Sequence, residues 1–364
     1  MKIDIEERTF HFKQPVGTSR GVYTDRRSWL VRISDGFSVG VGECAPLPLL
    51  SCDDIPDYSE KLRVKSEEFL ETFGTSDQGR LAAAIEQGDA AVSDFFETLR
   101  DYPSMLFGLE TAMLSLRRST LNAQSPTLFD TPFSRGEQGI PINGLVWMGT
   151  FEEMRQRIEQ KLQQGFRCIK LKIGAIDFDA ELALLKKIRE RFGPQEVEMR
   201  VDANGAFPFD EALYKLELLS QYALHSIEQP IRAGQWANMA ELCRESPLPI
   251  ALDEELIGIN DPDQKRQMLN IIRPRYIILK PSLHGGMMGC REWIDIARDM
   301  NIGSWITSAL ESNIGLNAIA QFCSAVYGDA ITMPQGLGTG QLFTDNIPMP
   351  LDIHDACLWI SRNS

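Results

Sequence analysis

The sequence predicts an α/β barrel preceded by a smaller α+β unit, and three observations carry that prediction. Short apolar runs alternate with amphipathic segments at a spacing of roughly 25 to 30 residues, the rhythm of stacked βα units and a parallel sheet. The runs read CIKLK, EVEMRVDAN, HSIEQP, PIALDEE and YIILK, with ELALLKKIRERF and DEALYKLELLSQ among the connecting segments. Each run carries charge at its end, in the order Lys170-Leu171-Lys172, Asp202, Glu228, Asp253, Lys280. The C-terminal ends of strands are where a barrel concentrates its chemistry. At 364 residues the chain has room for a barrel of about 250 residues and a second unit.

Residues 3–13 and 28–43 hold alternating or apolar runs, and RRSWLVRISDGFSVGVGE reads as a hairpin turning at Asp35-Gly36. Between them QPVGTSRGVYTD is rich in Gly, Ser and Thr. It reads either as a surface loop or as a mobile lid with Gly17 and Gly21 as flexible points. GECAPLPLLSCD is a loop punctuated by proline, and residues from about 57 to 118 are helical, with a clear apolar face on PSMLFGLETAMLSLRR. Strands followed by helices make an α+β unit. Residues 119–139 lose periodicity and mark the crossing into the barrel.

IPINGLVW is the first barrel strand, and Thr150 with Glu153 forms a capping box for FEEMRQRIEQKLQQ. After Lys280 come a helix from about 286 to 300, the strand IGSWITS, the helix NIGLNAIAQFCSAVY, and GLGTG near the eighth strand position. The tail from about 345 is expected to return to the first unit. The division is therefore 1–125, completed by 345–364, and 126–344 for the barrel.

Composition excludes several classes. Lys+Arg number 37 against 51 Asp+Glu, so no basic stripe exists for nucleic acid or an anionic membrane. No apolar run approaches a membrane span, and MKIDIEERTFHF reads as a strand rather than a signal peptide. The seven cysteines include no C-x-x-C pair, which suits free thiols in a reducing cytoplasm and argues against structural zinc. The four histidines are too dispersed to suggest a cluster. Oligomeric state is not encoded in any of these patterns.

The charged strand ends have chemical content. Neighbouring parallel strands lie about 4.8 Å apart, so Asp202, Glu228 and Asp253 can converge on one ion. Three unpaired carboxylates repel one another, and a hard divalent cation such as Mg²⁺ resolves this. On strands two and six of an eight-stranded barrel, Lys172 and Lys280 face each other across the mouth. Lys170 and Lys172 are two apart and point the same way. Like charges depress each other's pKa, which suits one of them as a general base. Arg200 shares the spacing and facing of Asp202 and is expected to add positive charge beside the lysines. Asn204 and Glu254 adjoin the metal candidates and read equally as supporting partners or plain loop residues. Any one of these charges alone is better explained as a solvated loop residue; five at consecutive strand ends point to a site.

These residues also carry a resemblance. Lys170-Leu171-Lys172, Arg200-Val201-Asp202-Ala203-Asn204, Glu228-Gln229-Pro230, Asp253-Glu254 and Leu279-Lys280-Pro281-Ser282 resemble the enolase superfamily in its muconate-lactonizing subgroup, as does GECAPLPLLS near the start. The resemblance implies a (β/α)7β TIM-like barrel with an α+β capping domain. It implies Mg²⁺, with Mn²⁺ as a substitute, held by Asp202, Glu228 and Asp253. Lys172 would remove a proton α to the carboxylate of a small-molecule substrate, with the metal as Lewis acid and Lys280 on the opposite face.

TSALESNIGL and GLGTGQLFTDN are similar to the o-succinylbenzoate synthase family, which implies a hydro-lyase of menaquinone biosynthesis working by syn dehydration. ITSALES lacks the seventh-strand histidine of mandelate racemase-like members, and GLGTG lacks the paired aspartates usual in dipeptide epimerases. N-succinylamino acid racemization stays open, since it needs both lysines. A non-catalytic binding scaffold would show a missing lysine or ligand, and none is missing. Ser308, Glu311 and Gly338-Thr339-Gly340 lie where a succinyl carboxylate could be held, with residues 16–25 closing over the mouth.

Overall fold

The structure is a computed structural model and describes residues 1–18, 21–74, 90–119, 127–146, 151–174, 177–328 and 331–361. Strands β1 (Lys2–Thr18), β2 (Gly21–Ser34) and β3 (Val39–Cys44) form an antiparallel sheet in that order. The turn between β2 and β3 is where the sequence predicts it, with Asp35 Oδ1 accepting from the amides of Phe37 and Ser38. Helices α1 (Tyr58–Phe73), α2 (Ala90–Glu97) and α3 (Pro103–Ser119) cover one face of this sheet. Alternate residues Trp29, Val31 and Ile33 of β2 meet Leu62, Phe69, Leu109 and Met113 in one apolar cluster, as period-two and period-3.6 patterns facing each other require.

The α3–β3 contact is backbone against backbone. Gly40 and Gly42 lie on one face of β3, and a Cβ on either would collide with the carbonyl oxygens of Ala112 or Gly108. Gly42→Ala is expected to destabilise the chain by about 1–3 kcal/mol through overpacking; urea unfolding of the variant checks this.

The Gly/Ser/Thr-rich stretch corrects its sequence reading. It is the tip of a long hairpin, not a loop between strands: Val16 pairs with Tyr23, Gly17 with Val22 and Thr18 with Gly21, after a register shift between His11 and Val16. Backbone pairing supplies the order that composition does not signal. Residues 19 and 20 lie outside the described set.

Strand β4 (Ile140–Pro141) leads into a parallel sheet. Its strands are β5 (Gly144–Val146), β6 (Cys168–Lys172), β7 (Glu198–Asp202), β8 (Ser226–Glu228), β9 (Ile250–Leu252), β10 (Tyr276–Leu279) and β11 (Gly303–Ile306), each hydrogen-bonded to the next in sequence. Between them run α4 (Phe151–Gln163), α5 (Phe178–Arg191), α6 (Phe209–Ser220), α7 (Trp236–Glu245), α8 (Pro262–Ile272) and α9 (Gly286–Asp299), and α10 (Asn313–Tyr327) follows β11. Local chemistry starts these helices. Asp177 accepts from the Ala180 amide and Asp261 from the Gln264 amide, with Pro262 at the first turn of α8. Thr150, the expected cap of α4, lies outside the described residues. Gln335 bridges to Ile142 and Gly336 to Thr307, both in parallel, so two residues link the two edges of the seven-stranded sheet. GLGTG itself runs past this point, with Thr339–Gln341 in a 3-10 turn.

The tail splits in two. Residues 342–344 do return to β1, through Lys13 N donating to Leu342 O and Thr344 N to His11 O. Beyond them β12 (Leu351–His354) and β13 (Cys357–Ile360) form a hairpin that pairs with β4, not with the first sheet. Leu358 and Ile360 join the apolar cluster of the parallel sheet, which corrects, for residues 351–360, the expectation that residues 345–364 complete the first unit. Asp345, which accepts from His11 N at 2.8 Å, and Ile347, packed against the cluster of Phe10 and Phe12, do return to β1. The boundary expected at 125/126 falls among residues outside the described set. Among the described residues, no helix is long and apolar enough to cross a membrane.

Candidate active site

The parallel register puts the charged residues at one level. Lys172 is the Cα partner of Asp202, and Asp202 of Glu228; Asp253 and Lys280 follow the last residues of β9 and β10. All five border one cavity of about 560 Å³, together with Lys170, Asn204 and Glu254. Asp202, Glu228 and Asp253 are buried. Lys170 Nζ lies 2.9 Å from Asp202 Oδ2 and 2.6 Å from Glu228 Oε2. Lys172 Nζ donates to Asn204 Oδ1 at 2.6 Å and Asp202 Oδ2 at 3.3 Å. Lys280 Nζ contacts Asp253 Oδ2. Asn204 Nδ2 in turn donates to Glu254 Oε1 at 3.0 Å, so Asn204 is itself held and shares the Lys172 head group with Asp202.

Burial and charge compete in this mouth. Burial pushes the Lys170 ammonium down, but Asp202, Glu228 and Asp253 outweigh it and hold the group above its ordinary value. The expectation that the paired lysines depress one another is therefore corrected at Lys170, where carboxylates sit nearer than the second ammonium. Lys280 behaves alike: burial lowers it, and Asp253, Glu254 and Glu228 more than compensate. Asp202 is pushed up by burial yet held below the usual range by Lys170 and Lys172. Glu228 is pushed well up, by burial first and then by the charge of Asp202.

Among the described residues, no group of three or more His, Cys, Asp or Glu side chains stands as a preformed metal site. The carboxylates are instead turned onto lysines. The donor chemistry nevertheless suits a hard cation, since Asp202, Glu228 and Asp253 are oxygen ligands on consecutive strand ends. Asp253 Oδ1 is buried with no hydrogen-bond partner among the described residues, and the carboxylate repulsion felt by Glu228 is what a divalent ion relieves.

The other expected residues divide. Ser308 and Thr339 border the cavity, and Thr339 Oγ1 donates to Ser308 Oγ at 2.7 Å; Gly338 borders it too. Glu311 does not. It is fully buried, accepts from Ala309 N at 2.7 Å and contacts Ser282 Oγ, so it braces two loops instead of meeting a ligand. Arg200 lies one layer down the barrel, bonded to Glu198 at 2.9 Å and Pro334 O at 3.0 Å and stacked on Trp305. It does not line the cavity with the lysines. Val16 and Gly17 of the hairpin tip line the cavity.

Sequence reasoning missed several buried polar residues. Gln229 Oε1 accepts from the amides of Asp253 and Glu255, both at 3.2 Å, and so fixes the turn that carries Asp253. Glu43 caps α10 from the first sheet, accepting from Ser312 N and Gly315 N, each at 2.9 Å. Arg26 donates to backbone oxygens on both sides of the mouth, among them Leu310 O and Pro46 O. His284 is buried, with its imidazole pushed down to about 3 by burial. A lone charge inside VGVGEC was the available signal for Glu43.

Comparison with known proteins agrees with this geometry. A family model described as "Enolase C-terminal domain-like" matches residues 153–363. An o-succinylbenzoate synthase from Desulfotalea psychrophila is 47% identical, covering 99% of both chains. The chain belongs to the enolase superfamily. Among solved structures of the superfamily, MenC from Desulfotalea psychrophila LSv54 superposes with a TM-score of 0.84 at 42% identity, covering 99% of each chain. A muconate lactonizing enzyme from Pseudomonas fluorescens, at 22% identity and a TM-score of 0.79, shares the fold over 99% of this chain and 93% of its own. An N-succinylamino acid racemase from Thermus thermophilus is 28% identical over 82% of this chain and 75% of its own.

Proposed function

We propose that this chain is an o-succinylbenzoate synthase, a hydro-lyase that dehydrates 2-succinyl-6-hydroxy-2,4-cyclohexadiene-1-carboxylate in menaquinone biosynthesis. The observation that carries the reading is the 47% identity to a synthase along 99% of both chains, supported by the lysines and carboxylates gathered round one cavity. The architecture it implies is a (β/α)7β barrel, from residue 126 to 344, with Gln335-Gly336 as the short eighth strand. The unit from 1 to 125 caps the mouth, and the enzyme works in the cytoplasm.

Asp202, Glu228 and Asp253 hold Mg²⁺ or Mn²⁺, which when bound supplies Lewis-acid stabilisation to the substrate carboxylate. Lys172 takes the proton α to that carboxylate. The same lysine, now an ammonium, returns the proton to the departing hydroxyl on the same face. The C–H and C–O bonds are broken, water leaves, and the ring becomes aromatic. Asn204 keeps the Lys172 head group aimed through both half-steps. Lys280 transfers no proton and offers its charge to the other face of the ring, worth about 0.5–2 kcal/mol as a cation–π contact. Ser308, Gly338 and Thr339 hold the succinyl carboxylate.

The second reading is N-succinylamino acid racemization, favoured by the presence of both lysines and the similarity to a racemase. Lys280→Arg separates the two, because arginine keeps the charge and does not exchange a proton. The variant is expected to keep dehydrating at a measurable rate. Any racemase activity of the wild type, followed by deuterium uptake from D₂O, is expected to vanish in it. Efficient racemization by the wild type without o-succinylbenzoate formation would overturn the proposal.

A further inference from the structure

The turn that carries Lys280 is built in an unusual way. Leu283 N and His284 N both donate to Lys280 O, at 2.8 and 2.9 Å. Gly285 and Gly286 follow with φ of 91° and 69°, conformations that side chains other than glycine rarely adopt. These contacts fold the chain back so that the imidazole of His284 reaches the start of its own turn. There Lys280 N donates to His284 Nδ1 at 2.9 Å. The acceptor nitrogen carries no proton, so the ring is the neutral tautomer with hydrogen on Nε2. His284 is 1% exposed, and its Nε2 has no hydrogen-bond partner among the described residues. A buried donor left in this state is costly and calls for an explanation. The negative charge that acts most strongly on the ring is that of Asp253, the carboxylate that Lys280 Nζ contacts.

We infer that His284 is a positioning residue for Lys280. It fixes the backbone from which the Lys280 side chain departs and thereby sets where the ammonium stands over the substrate. The inference rests on the proposed dehydration for its kinetic consequence only. Besides this bond, Lys280 is held by the two amides on its carbonyl and by the contact of Nζ with Asp253. Its strand ends at Leu279, Pro281 has no amide hydrogen to donate, and the turn is tied onward through Ser282 to Glu311. Without the imidazole, the partly buried Lys280 amide loses this acceptor, and the turn is free to shift toward another. The charge of Lys280 over the ring is worth about 2- to 30-fold in rate, and a misplaced ammonium forfeits part or all of it. Substrate affinity, set by the metal and the succinyl contacts, is then largely spared.

Two substitutions of nearly equal size isolate the contact. In His284→Asn the side-chain oxygen stands where Nδ1 stands and can accept from Lys280 N. In His284→Leu a methyl group stands there. With the full chain and Mg²⁺, His284→Leu is expected to lose about 3- to 30-fold in kcat with KM within about twofold of wild type, and His284→Asn to recover most of that loss. Two further readouts do not depend on turnover. Nitrogen-15 spectra of the ring are expected to show one histidine as the Nε2–H tautomer, absent from His284→Asn. The Lys280 amide is expected to exchange slowly with D₂O in wild type and His284→Asn. Equal kcat in wild type and His284→Leu, an equal loss in both variants, an Nδ1–H tautomer, or a fast-exchanging Lys280 amide in wild type would each overturn the inference. If His284→Leu does not fold, the tautomer and the amide exchange decide. If the wild type does not dehydrate at all, the proposed function fails, while those two readouts still judge His284.

Discussion

Lys172→Ala is expected to abolish detectable dehydration, a loss of at least about 10³–10⁴-fold in kcat. A single positioned acid or base contributes about 10²–10⁴-fold, and in the proposed reaction one side chain serves in both roles, so its removal leaves neither half-step assisted. No neighbour can substitute. Lys170 is held protonated by Asp202 and Glu228, at 2.9 and 2.6 Å. Lys280 Nζ is engaged with Asp253. The fold should survive, because Lys172 contributes little beyond its bonds to Asn204 and Asp202. Melting temperature and product binding are expected to stay near wild type, separating chemistry from folding. A variant retaining more than about a hundredth of wild-type turnover would move the base to another residue.

The contrast between Lys172 and Glu311 explains what the sequence could and could not reveal. Lys172, Asp202, Glu228, Asp253 and Lys280 were legible because each ends an apolar run, and the barrel rule turns that position into a location. A strand end is a local property. Glu311 sits in a polar loop near the mouth and reads the same way, yet its carboxylate turns inward to Ala309 N and to Ser282, 29 residues away. Direction of a loop side chain depends on packing that no local pattern encodes. Arg200 shows the same limit along a strand. Its facing was read correctly from the two-residue period, but its depth, one layer below Asp202 beside Glu198 and Trp305, was not.

The hairpin tip failed for another reason. Val16, Thr18 and Val22-Tyr23-Thr24 favour a strand, but Pro15, Gly17 and Gly21 among them mask the pattern, and the arms are recognisable as strand only through their pairing across a register shift. His284 carries no local signal, because it belongs to no cluster of histidines and acts alone on an amide four residues earlier.

Asp202→Asn tests the metal reading, and a large effect is expected in two separate measurements. Asp202 Oδ2 faces Lys170 and Lys172, and Oδ1 accepts from the Asn204 amide at 3.1 Å. Asparagine has the same shape and can keep the Asn204 bond, but it removes the charge. Lys170 retains Glu228 as a partner, so no ammonium is stranded in the interior, and the cost in stability is expected to be about 1.5–3 kcal/mol, that of one charged hydrogen bond. Metal affinity is expected to fall much further. Hard cations select sites by carboxylate charge and number, and even outer partners of a metal site are worth about 10–100-fold in affinity. Calorimetric titration with Mg²⁺ or Mn²⁺ is expected to show binding to the wild type and at least a hundredfold weaker binding to the variant. Turnover of the variant is expected to be undetectable even at millimolar metal. Wild-type chain stripped by exhaustive chelation should lose activity and regain it on adding Mg²⁺. If the stripped chain turned over at the full rate, Asp202, Glu228 and Asp253 would have to be read as an ion-pair network for the lysines, with Lys170 at its centre.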